Sequence, residues 1–406
     1  MQNCPRMQPG SEAQTLTRDL FKKHFGFAPA HVVAVPGYVQ LLGAETQVCD
    51  GVVIGAAIDR FISIASAPRT DGKIELVFSA PSKPEIFWVT DLKPDPAVPW
   101  ADPVKGVLRQ LRRCGVHFSG FNAAVYSTMP TGLDFGAVAA LEVATAATVR
   151  QLFPYSLGES GATLPPKRDE RGRLPPLSKL ERRQLAMVCH TIEPDQPDAA
   201  RGFIGHIPAL FGRAWHLLSM DCRAKSIEPL PLPGEALILC DTGLRSFRAT
   251  PARDELTGYS RAVTEKLRLK SLRSLEPRML TSVKHRLAPE EFNCAYYLVT
   301  EIQRVVAAER ALLEDDHRQF GQYMFYSYES ARDCFNSHCA EIDLLIKLAR
   351  SHSGCLGARP IDGGATINLV AYHEAENFMH HIAREYETRT GRKIKPSVCQ
   401  IVDGVN

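Results

Sequence analysis

The hydrophobic pattern of this chain switches repeatedly between the period of a strand and that of a helix. Runs rich in β-branched and apolar residues predict strands at His31–Val35, Val52–Ala67, Lys73–Phe78, Ile86–Thr90, Phe121–Tyr126, Ala236–Cys240 and Thr366–Ala371. Helical spacing predicts helices at Leu16–Phe25, Val104–Cys114, Ala137–Leu152, Leu177–Thr191 and Glu374–Tyr386, and two or three more within Pro289–His352. Because strands and helices are intermixed without an internal repeat, the pattern predicts an α+β fold.

Prolines and glycines divide these predicted elements. Pro36-Gly37 predicts a turn after the first strand, and Pro94–Pro103 predicts a connector. Residues 154–177 hold eight prolines and glycines beside a mixed-charge stretch, which predicts an inserted surface loop and not a domain boundary. A chain of 406 residues is long for one hydrophobic core, so we expect two domains or one domain of two lobes.

Composition and charge exclude several classes of function. The formal net charge of +3 is too small to predict binding to nucleic acid or to a membrane surface. No apolar run could span a bilayer, and residues 1–10 lack the apolar segment of a secretion signal. The 11 cysteines are odd in number and form no C-x-x-C pair, so we expect reduced thiols in a cytoplasmic protein. The histidines at 373, 380 and 381 and the segment Cys334–Cys339 lack a full ligand set, so no metal site is predicted.

Three segments carry glycines and prolines at a defined spacing. Residues 36–46 read P-G-Y-V-Q-L-L-G-A-E-T and lead through Asp50-Gly51 into an apolar strand. Residues 130–144 read P-T-G-L-D-F-G-A-V-A-A-L-E-V-A. Residues 202–212 read G-F-I-G-H-I-P-A-L-F-G, with D-C-R at 221–223. In this order and spacing they resemble the signatures of galactokinases, a branch of the GHMP small-molecule kinase superfamily.

Further segments extend the resemblance over roughly residues 14–400. Residues 299–305, V-T-E-I-Q-R-V, and parts of 320–343 resemble two helices of the family. Residues 357–370 resemble its glycine-rich C-terminal motif with Gly363 and Gly364, although about three loop residues are missing. The resemblance implies a two-lobed GHMP kinase fold. An N-terminal mixed α/β lobe would span 14–212, and C-terminal helices on an antiparallel sheet, which includes strand 366–371, would span 213–400.

The first segment keeps the framework of the family and changes its chemistry. The family sequence P-G-R-V-N-L-I-G-E-H-T-D carries an Arg that helps activate the sugar hydroxyl or stabilise transfer, and this position is Tyr38. The family Glu-His pair beside the sugar corresponds to Ala44 and Glu45. The sugar-binding Asp that follows corresponds to Gln47.

The second segment resembles the family phosphate loop, P-x-G-A-G-L-S-S-S. Such a loop binds phosphates through backbone N–H groups at a helix N-terminus, and a serine reaches Mg²⁺. Here Gly132 is kept, the second glycine is Asp134, and the serines are Gly136, Ala137 and Val138, so no hydroxyl remains for the metal. A carboxylate about 4 Å from a phosphate charge would cost about 4 kcal/mol at an effective dielectric constant of about 20.

The third segment lacks the family carboxylate that faces the attacking hydroxyl of the sugar. Its position is Gly205, which has no side chain to act as a base or counter-charge. The adjacent His206 could substitute as a base, or could face elsewhere because neighbouring helical residues diverge. Glu45 could accept a sugar hydrogen bond or lie exposed in a loop. Asp134 could coordinate Mg²⁺ or cap the helix that begins after Gly136.

These changes leave three hypotheses for the function. The first is a catalytically impaired pseudokinase that senses a sugar or regulates or supports a protein partner. The second is an active ATP-dependent sugar or small-molecule kinase with a rebuilt site, using Mg-ATP, in which Glu45, Asp134, His206 and Asp362 converge on one cavity. The third is a structural partner of another enzyme. An open polar cleft between the lobes would favour ligand binding, and a cleft filled by Tyr38 and Phe135 would oppose it.

Overall fold

Two main β-sheets with helices packed on them form the fold, which the computed structural model describes for residues 10–80, 82–159, 163–164, 166, 169–170, 174–191 and 203–405. The helices are α1 Ser11–Phe25, α2 Asp102–Arg113, α3 Ala137–Leu152, α4 Lys179–His190, α5 Ile207–Phe211, α6 Arg253–Leu267, α7 Pro277–Ser282, α8 Pro289–Leu313, α9 His317–Phe335, α10 Ala340–Ser351 and α11 Ala375–Thr390. The strands are β1 His31–Leu42, β2 Val52–Pro68, β3 Lys73–Phe78, β4 Glu85–Trp88, β5 Phe121–Ser127, β6 Ser156–Leu157, β7 Thr163–Leu164, β8 His216–Asp221, β9 Ser226–Pro231, β10 Glu235–Asp241, β11 Cys355–Ile361, β12 Ala365–Ala371 and β13 Ser397–Cys399.

The first sheet has seven strands built around the long strand β2. Its order is β4-β3-β5-β2-β8-β9, and β1 also pairs with β2. All pairs are antiparallel except β3 with β5. Nearly every residue of β2 is buried, because other elements cover both faces of this strand; the alanine-rich helix α3 packs on β1 and β2.

The turn predicted at Pro36-Gly37 is wrong, because β1 runs on to Leu42 through a register shift. Pro36 pairs with Phe61 and Gly37 pairs with Ile58, so the partner strand bulges at this point. A methyl group on Gly37 would lie 2.7 Å from the carbonyl oxygen of Phe135. The glycine therefore lets β1 approach the 130–136 loop, and does not reverse the chain.

The second sheet is antiparallel in the order β11-β12-β10-β13, with the strand predicted at 366–371 inside it, as expected. Three helices, α8 to α10, occupy the region predicted as two or three helical segments. Strands β8 and β9 extend the first sheet to Pro231, beyond residue 212, where the sequence predicts the lobe boundary. The C-terminal residues also return to the first lobe, where the amide of Val402 donates to the carbonyl of Ala57 at 3.1 Å.

The predicted loop at 154–177 contains a short hairpin, β6 with β7, and part of the loop lies outside the described residues. Thr163 Oγ1 donates to the carbonyl of Cys114 at 2.6 Å, which fastens the hairpin to the end of α2. The ten described cysteines are all free thiols, and Cys189 and Cys240 are buried. Within the described ranges, no helix has the length and apolar character needed to cross a membrane.

A buried carboxylate ties the two lobes together. Glu301 on α8 is fully buried, and its Oε1 accepts the amide of Gly43 at 2.8 Å and the hydroxyl of Ser327 at 2.7 Å. Its Oε2 pairs with Arg304 one turn further along α8. Gly43 follows β1 and Ser327 lies on α9, so one side chain links three segments from both lobes.

We expect Glu301→Ala to lower the free energy of unfolding by about 3–5 kcal/mol, because it leaves Arg304 without its partner in a buried environment. Urea unfolding measures this value. The matched control is Glu265→Ala, which removes an exposed helical Glu–Arg pair and should change stability by less than about 1 kcal/mol. Equal losses in both variants would contradict the anchoring role of Glu301.

Candidate functional site

Three segments meet where the sequence placed the phosphate and sugar positions. They are β1 at Tyr38, the loop 130–136 that leads into α3, and the turn 361–364 between β11 and β12. The amide of Tyr38 donates to the carbonyl of Phe135 at 3.0 Å. A methyl group on Gly363 would lie 1.9 Å from the carbonyl oxygen of Gly132, so the C-terminal turn rests directly on the loop.

Four consecutive amides of the loop are bound by acceptors within the protein. The Leu133 amide donates to the carbonyl of Pro130 at 3.4 Å, and the Phe135 amide donates to the carbonyl of Leu133 at 3.0 Å. The Asp134 amide reaches across the lobes to the carbonyl of Asp362 at 3.2 Å. The Gly136 amide lies 3.4 Å from the Asp134 carboxylate, whose side chain is exposed. These N–H groups therefore point at protein oxygens and not at an open anion site.

The ring of Tyr38 covers the start of α3. A methyl group on Gly136 would lie 2.4 Å from Cδ1 and 2.6 Å from Cε1 of this ring. Gly136 is the N-cap of α3 and has a positive φ of 66°. Tyr38 and Gly136 are therefore complementary in shape, because the Tyr38 ring fills the space that a side chain at position 136 would need. Ala137 and Val138, the next two positions, are partly exposed and apolar.

Gly205 and His206 lie against the first half of α3. A methyl group on Gly205 would make ordinary contact, 3.4 Å, with Cβ of Ala139, so the lost carboxylate is not excluded by crowding at this point. His206 is 2% exposed, and its Nε2 lies 2.5 Å from Oε2 of Glu142. The other nitrogen of His206 and the other oxygen of Glu142 have no hydrogen-bond partner among the described atoms. His206 is thus held in a buried pair inside the first lobe; the first residue of its segment, 202, is outside the described residues.

Contacts of both backbone and side chains fix the segment that follows Gly43. Ala44 is buried, and its carbonyl accepts the hydroxyl of Tyr297 at 3.2 Å. Glu45 adopts a positive φ of 61°, and its carboxylate pairs with Arg253 at the start of α6, 3.1 Å away. Gln47 lies 3.5 Å from the same Glu45 oxygen. Glu45 is therefore about one-fifth exposed and already ion-paired.

Asp134 and Glu45, two of the residues proposed to rebuild a site, lie within electrostatic range of a third, Asp362; their convergence on one cavity stays a prediction. Burial, with a smaller contribution from the nearby carboxylates Asp134 and Glu45, raises the pKa of Asp362 to about 6, although the Ala249 amide and Arg248 act in the opposite direction. Protein atoms surround the Asp362 carboxyl on most sides, although a third of the side chain reaches solvent. Asp134, Glu45 and Asp362 thus share one acidic region. The prediction that His206 joins them is wrong, because His206 is buried against Glu142.

Three arginines line this region, and the sequence motifs did not predict them as site residues. Arg245 makes a two-point ion pair with Asp241, 2.9 Å on each side, and its Cδ would meet a methyl group on Gly132 at 2.6 Å. Arg248 lies 3.9 Å from Asp362, and Arg253 binds Glu45. All three come from the segment R-S-F-R-A-T-P-A-R at 245–253, where the only signal is the recurrence of arginine. In the described part of the chain, no group of His, Cys, Asp or Glu is arranged to hold a metal ion.

We expect Gly136→Ser to destabilise the protein more than a glycine substitution at a comparable backbone angle. Gly391 is the control, because its φ is 70° and no atom lies within 4 Å of an added methyl group. Gly391→Ser should cost about 1 kcal/mol from backbone strain, whereas Gly136→Ser should cost about 1–3 kcal/mol more from overpacking against Tyr38. In a Tyr38→Ala background this excess should disappear, which a double-mutant cycle by urea unfolding measures. An excess that persists would contradict the complementary packing.

The raised pKa of Asp362 predicts the pH dependence of stability. The folded protein binds a proton at Asp362 up to about pH 6, whereas the unfolded chain releases it near pH 3.9, so ionisation of this group opposes folding. Relative to Asp362→Asn, the free energy of unfolding of the wild type should fall by about 1–2 kcal/mol as pH rises from 4 to 6, after allowance for solvent screening. Denaturant unfolding across this range measures the difference. Asp333→Asn, at an exposed position, should follow the wild type between pH 5 and 6; a flat difference for Asp362→Asn would contradict the assignment.

Known proteins resemble this chain over nearly its whole length. The family model described as the galactokinase galactose-binding signature matches residues 19–68. The galactokinase of Roseiflexus sp. (strain RS-1) is 30% identical over 399 residues, which cover 96% of this chain and 95% of that protein. Human galactokinase is 29% identical over 381 residues, 91% of each chain.

Solved structures share the fold over nearly the whole chain. The Lactococcus lactis galactokinase complexed with galactose matches with a TM-score of 0.82 and 21% identity, covering 98% of this chain and 100% of that chain. The mevalonate kinase of Methanococcus jannaschii matches with a TM-score of 0.58 and 13% identity, covering 92% and 98%. From its relatives and its two-lobed GHMP kinase fold, this chain belongs to the galactokinase family.

Proposed function

We propose that this galactokinase-family protein is a catalytically impaired pseudokinase with a regulatory, sensing or scaffold role. The observation that carries the proposal is the closed phosphate loop. Its amides at 133–136 are bound within the protein, and the Tyr38 ring fills the space at Gly136. A nucleotide would have to displace these contacts before its phosphates could reach the N-terminus of α3.

The residues present do not fit Mg-ATP. Positions 136–138 offer no hydroxyl for a metal ion, and the Asp134 carboxylate adds negative charge beside the loop. Glu45 and Asp362 lie in the same region, but each faces an arginine, Arg253 and Arg248. The charge of Asp134 and the closure of the loop therefore both oppose a triphosphate.

The sugar side of the site is altered in a different way. The solved Lactococcus lactis galactokinase holds galactose. Here the carboxylate position beside the attacking hydroxyl is Gly205, and Glu45 is engaged by Arg253. Glu45 and Asp362 can still accept hydrogen bonds from sugar hydroxyls if Arg253 moves away. A retained sugar site without phosphoryl transfer would make this protein a sensor, and loss of both ligands would leave a scaffold for a protein partner. Its buried reduced cysteines suit a reducing compartment such as the cytoplasm.

A second candidate is an active kinase with a rebuilt site. Its support is the acidic region shared by Glu45, Asp134 and Asp362, with the pKa of Asp362 at about 6. A carboxylate with this pKa could act as a general base near neutral pH. The closed loop and the missing hydroxyls weigh against this candidate, so it ranks second.

Thermal unfolding with Mg-ATP, with galactose and with neither separates these roles. A ligand at about 100 times its Kd stabilises by about 2.7 kcal/mol, which should raise Tm by about 2 °C or more in a chain of this size. We expect no shift with Mg-ATP. A shift with galactose alone would support a sensor, and no shift with either would support a scaffold. A shift with Mg-ATP would contradict the closed phosphate loop.

A phosphoryl-transfer assay with Mg-ATP and galactose tests catalysis directly. We expect no turnover from the wild type and a gain of activity from a variant that restores the family chemistry, because a positioned base alone contributes about 10²–10⁴-fold. The restoring changes are Tyr38→Arg, Asp134→Gly, Gly136→Ser, Val138→Ser and Gly205→Asp. Gly205→Asp alone is the control and should stay inactive, because the loop remains closed. Turnover by the wild type that Asp362→Asn abolishes would favour the rebuilt kinase instead.

A further inference from the structure

A cavity of about 380 Å³ opens on the first lobe between α2 and the turn that follows β4. Its walls carry four cationic side chains, Lys93, Arg109, Arg112 and Arg113, and one carboxylate, Asp91. Four positive charges less one negative charge give this site a local formal charge of +3. We call it the basic cavity.

Three of the four cations of the basic cavity contact neutral partners. Arg109 donates to the carbonyl of Leu92 at 2.8 Å, the guanidinium of Arg112 lies 5.3 Å from the centre of the Phe118 ring, and Arg113 lies 3.5 Å from the Gln110 side-chain oxygen. Among the described residues, none of the four cations forms an ion pair with a carboxylate. Asp91 is the one carboxylate in the described lining of the cavity, so the four cations are neutralised only in part.

In a second surface cavity, by contrast, arginines form ion pairs with carboxylates. This cavity of about 470 Å³ lies between α9 and α10. Its Arg350 pairs with Glu329 at 2.7 Å, and its Arg332 pairs with Asp333 at 3.0 Å. Arginines that line a cavity are thus balanced locally at one site and only in part at the other.

Helix stabilisation accounts for only part of the basic cavity. Arg112 and Arg113 occupy the last turn of α2, where cations favour the negative end of the helix dipole. Arg109 lies one turn earlier and Lys93 lies across the cavity on the turn after β4. The dipole therefore does not explain why cations face each other from both walls.

We propose that the basic cavity binds a small phosphate-bearing anion. Three guanidinium groups suit this ligand, because each can donate two parallel hydrogen bonds to phosphate oxygens. The cavity volume falls within the range of small-ligand sites. The bound anion would relieve the repulsion among the four cations. No residue of this cavity belongs to the kinase cleft, so the site is independent of the proposed function.

Isothermal titration of the full-length protein with inorganic pyrophosphate, in a fixed low-salt buffer, tests the proposal. We expect binding to the wild type that weakens as NaCl is raised. Arg109→Gln with Arg112→Gln should weaken binding about tenfold or more. The matched control, Arg332→Gln with Arg350→Gln, removes two charges from the neutralised cavity and should change the Kd by less than about twofold.

A second basic variant guards against a folding defect, because Arg109 also holds the carbonyl of Leu92. Lys93→Gln with Arg113→Gln removes two exposed cations and should also weaken pyrophosphate binding about tenfold, with a Tm close to that of the wild type. Absence of pyrophosphate binding to the wild type would overturn the proposal. Undiminished binding in both basic variants would also overturn it and assign the anion to another site, such as the loop at 130–136.

Discussion

The buried carboxylate of Glu301 is the interaction on which the arrangement of the two lobes depends. It accepts a backbone amide from the first lobe and a hydroxyl from α9, and its charge is balanced by Arg304. Each partner is needed, because a buried charge that loses one of them is strongly destabilising. Gly43, which supplies the amide, has no alternative residue, since a methyl group there would lie 2.3 Å from the carbonyl of Val52. The family framework around residues 43–52 is therefore required for folding even where the residue types of the family signature are replaced.

Packing also explains why so much of the fold could be predicted from the sequence. Helix α3 is alanine-rich without internal breakers, and its predicted bounds match the structure. Helix α6 was missed because Gly258 interrupts it and few of its residues are buried. Strand β9 was missed because Pro229 and Pro231 argue against a strand, yet prolines are tolerated at a sheet edge, where β9 lies. These misses occur where tertiary position overrides local preference.

The candidate site was less predictable, because its defining contacts join residues that are distant in sequence. The motifs show that Tyr38 and Gly136 each differ from the family residue. They do not show that the ring of Tyr38 fills the space above Gly136. The shortened C-terminal loop could be counted, but not that its turn would bind the Asp134 amide through the carbonyl of Asp362. The pairing of His206 with Glu142 likewise depends on how α5 packs on α3. Motif positions are local, whereas a site also depends on the distances between them.

If this protein is the pseudokinase we propose, the closed loop opposes nucleotide binding energetically as well as through missing groups. Four amides are bound within the loop and across the lobes, and each such hydrogen bond contributes about 0.5–1.5 kcal/mol net. Opening the loop would then cost about 2–6 kcal/mol. A state that lies about 4 kcal/mol above the closed one is populated at about one part in a thousand, which weakens the apparent affinity of any ligand that needs it by the same factor. Restoring one catalytic residue leaves this factor untouched. The closed state also holds the two lobes in one arrangement, because the Asp134–Asp362 hydrogen bond and the Glu301 contacts span them. A rigid surface of this kind suits recognition by a partner, since little conformational entropy remains to be lost on binding.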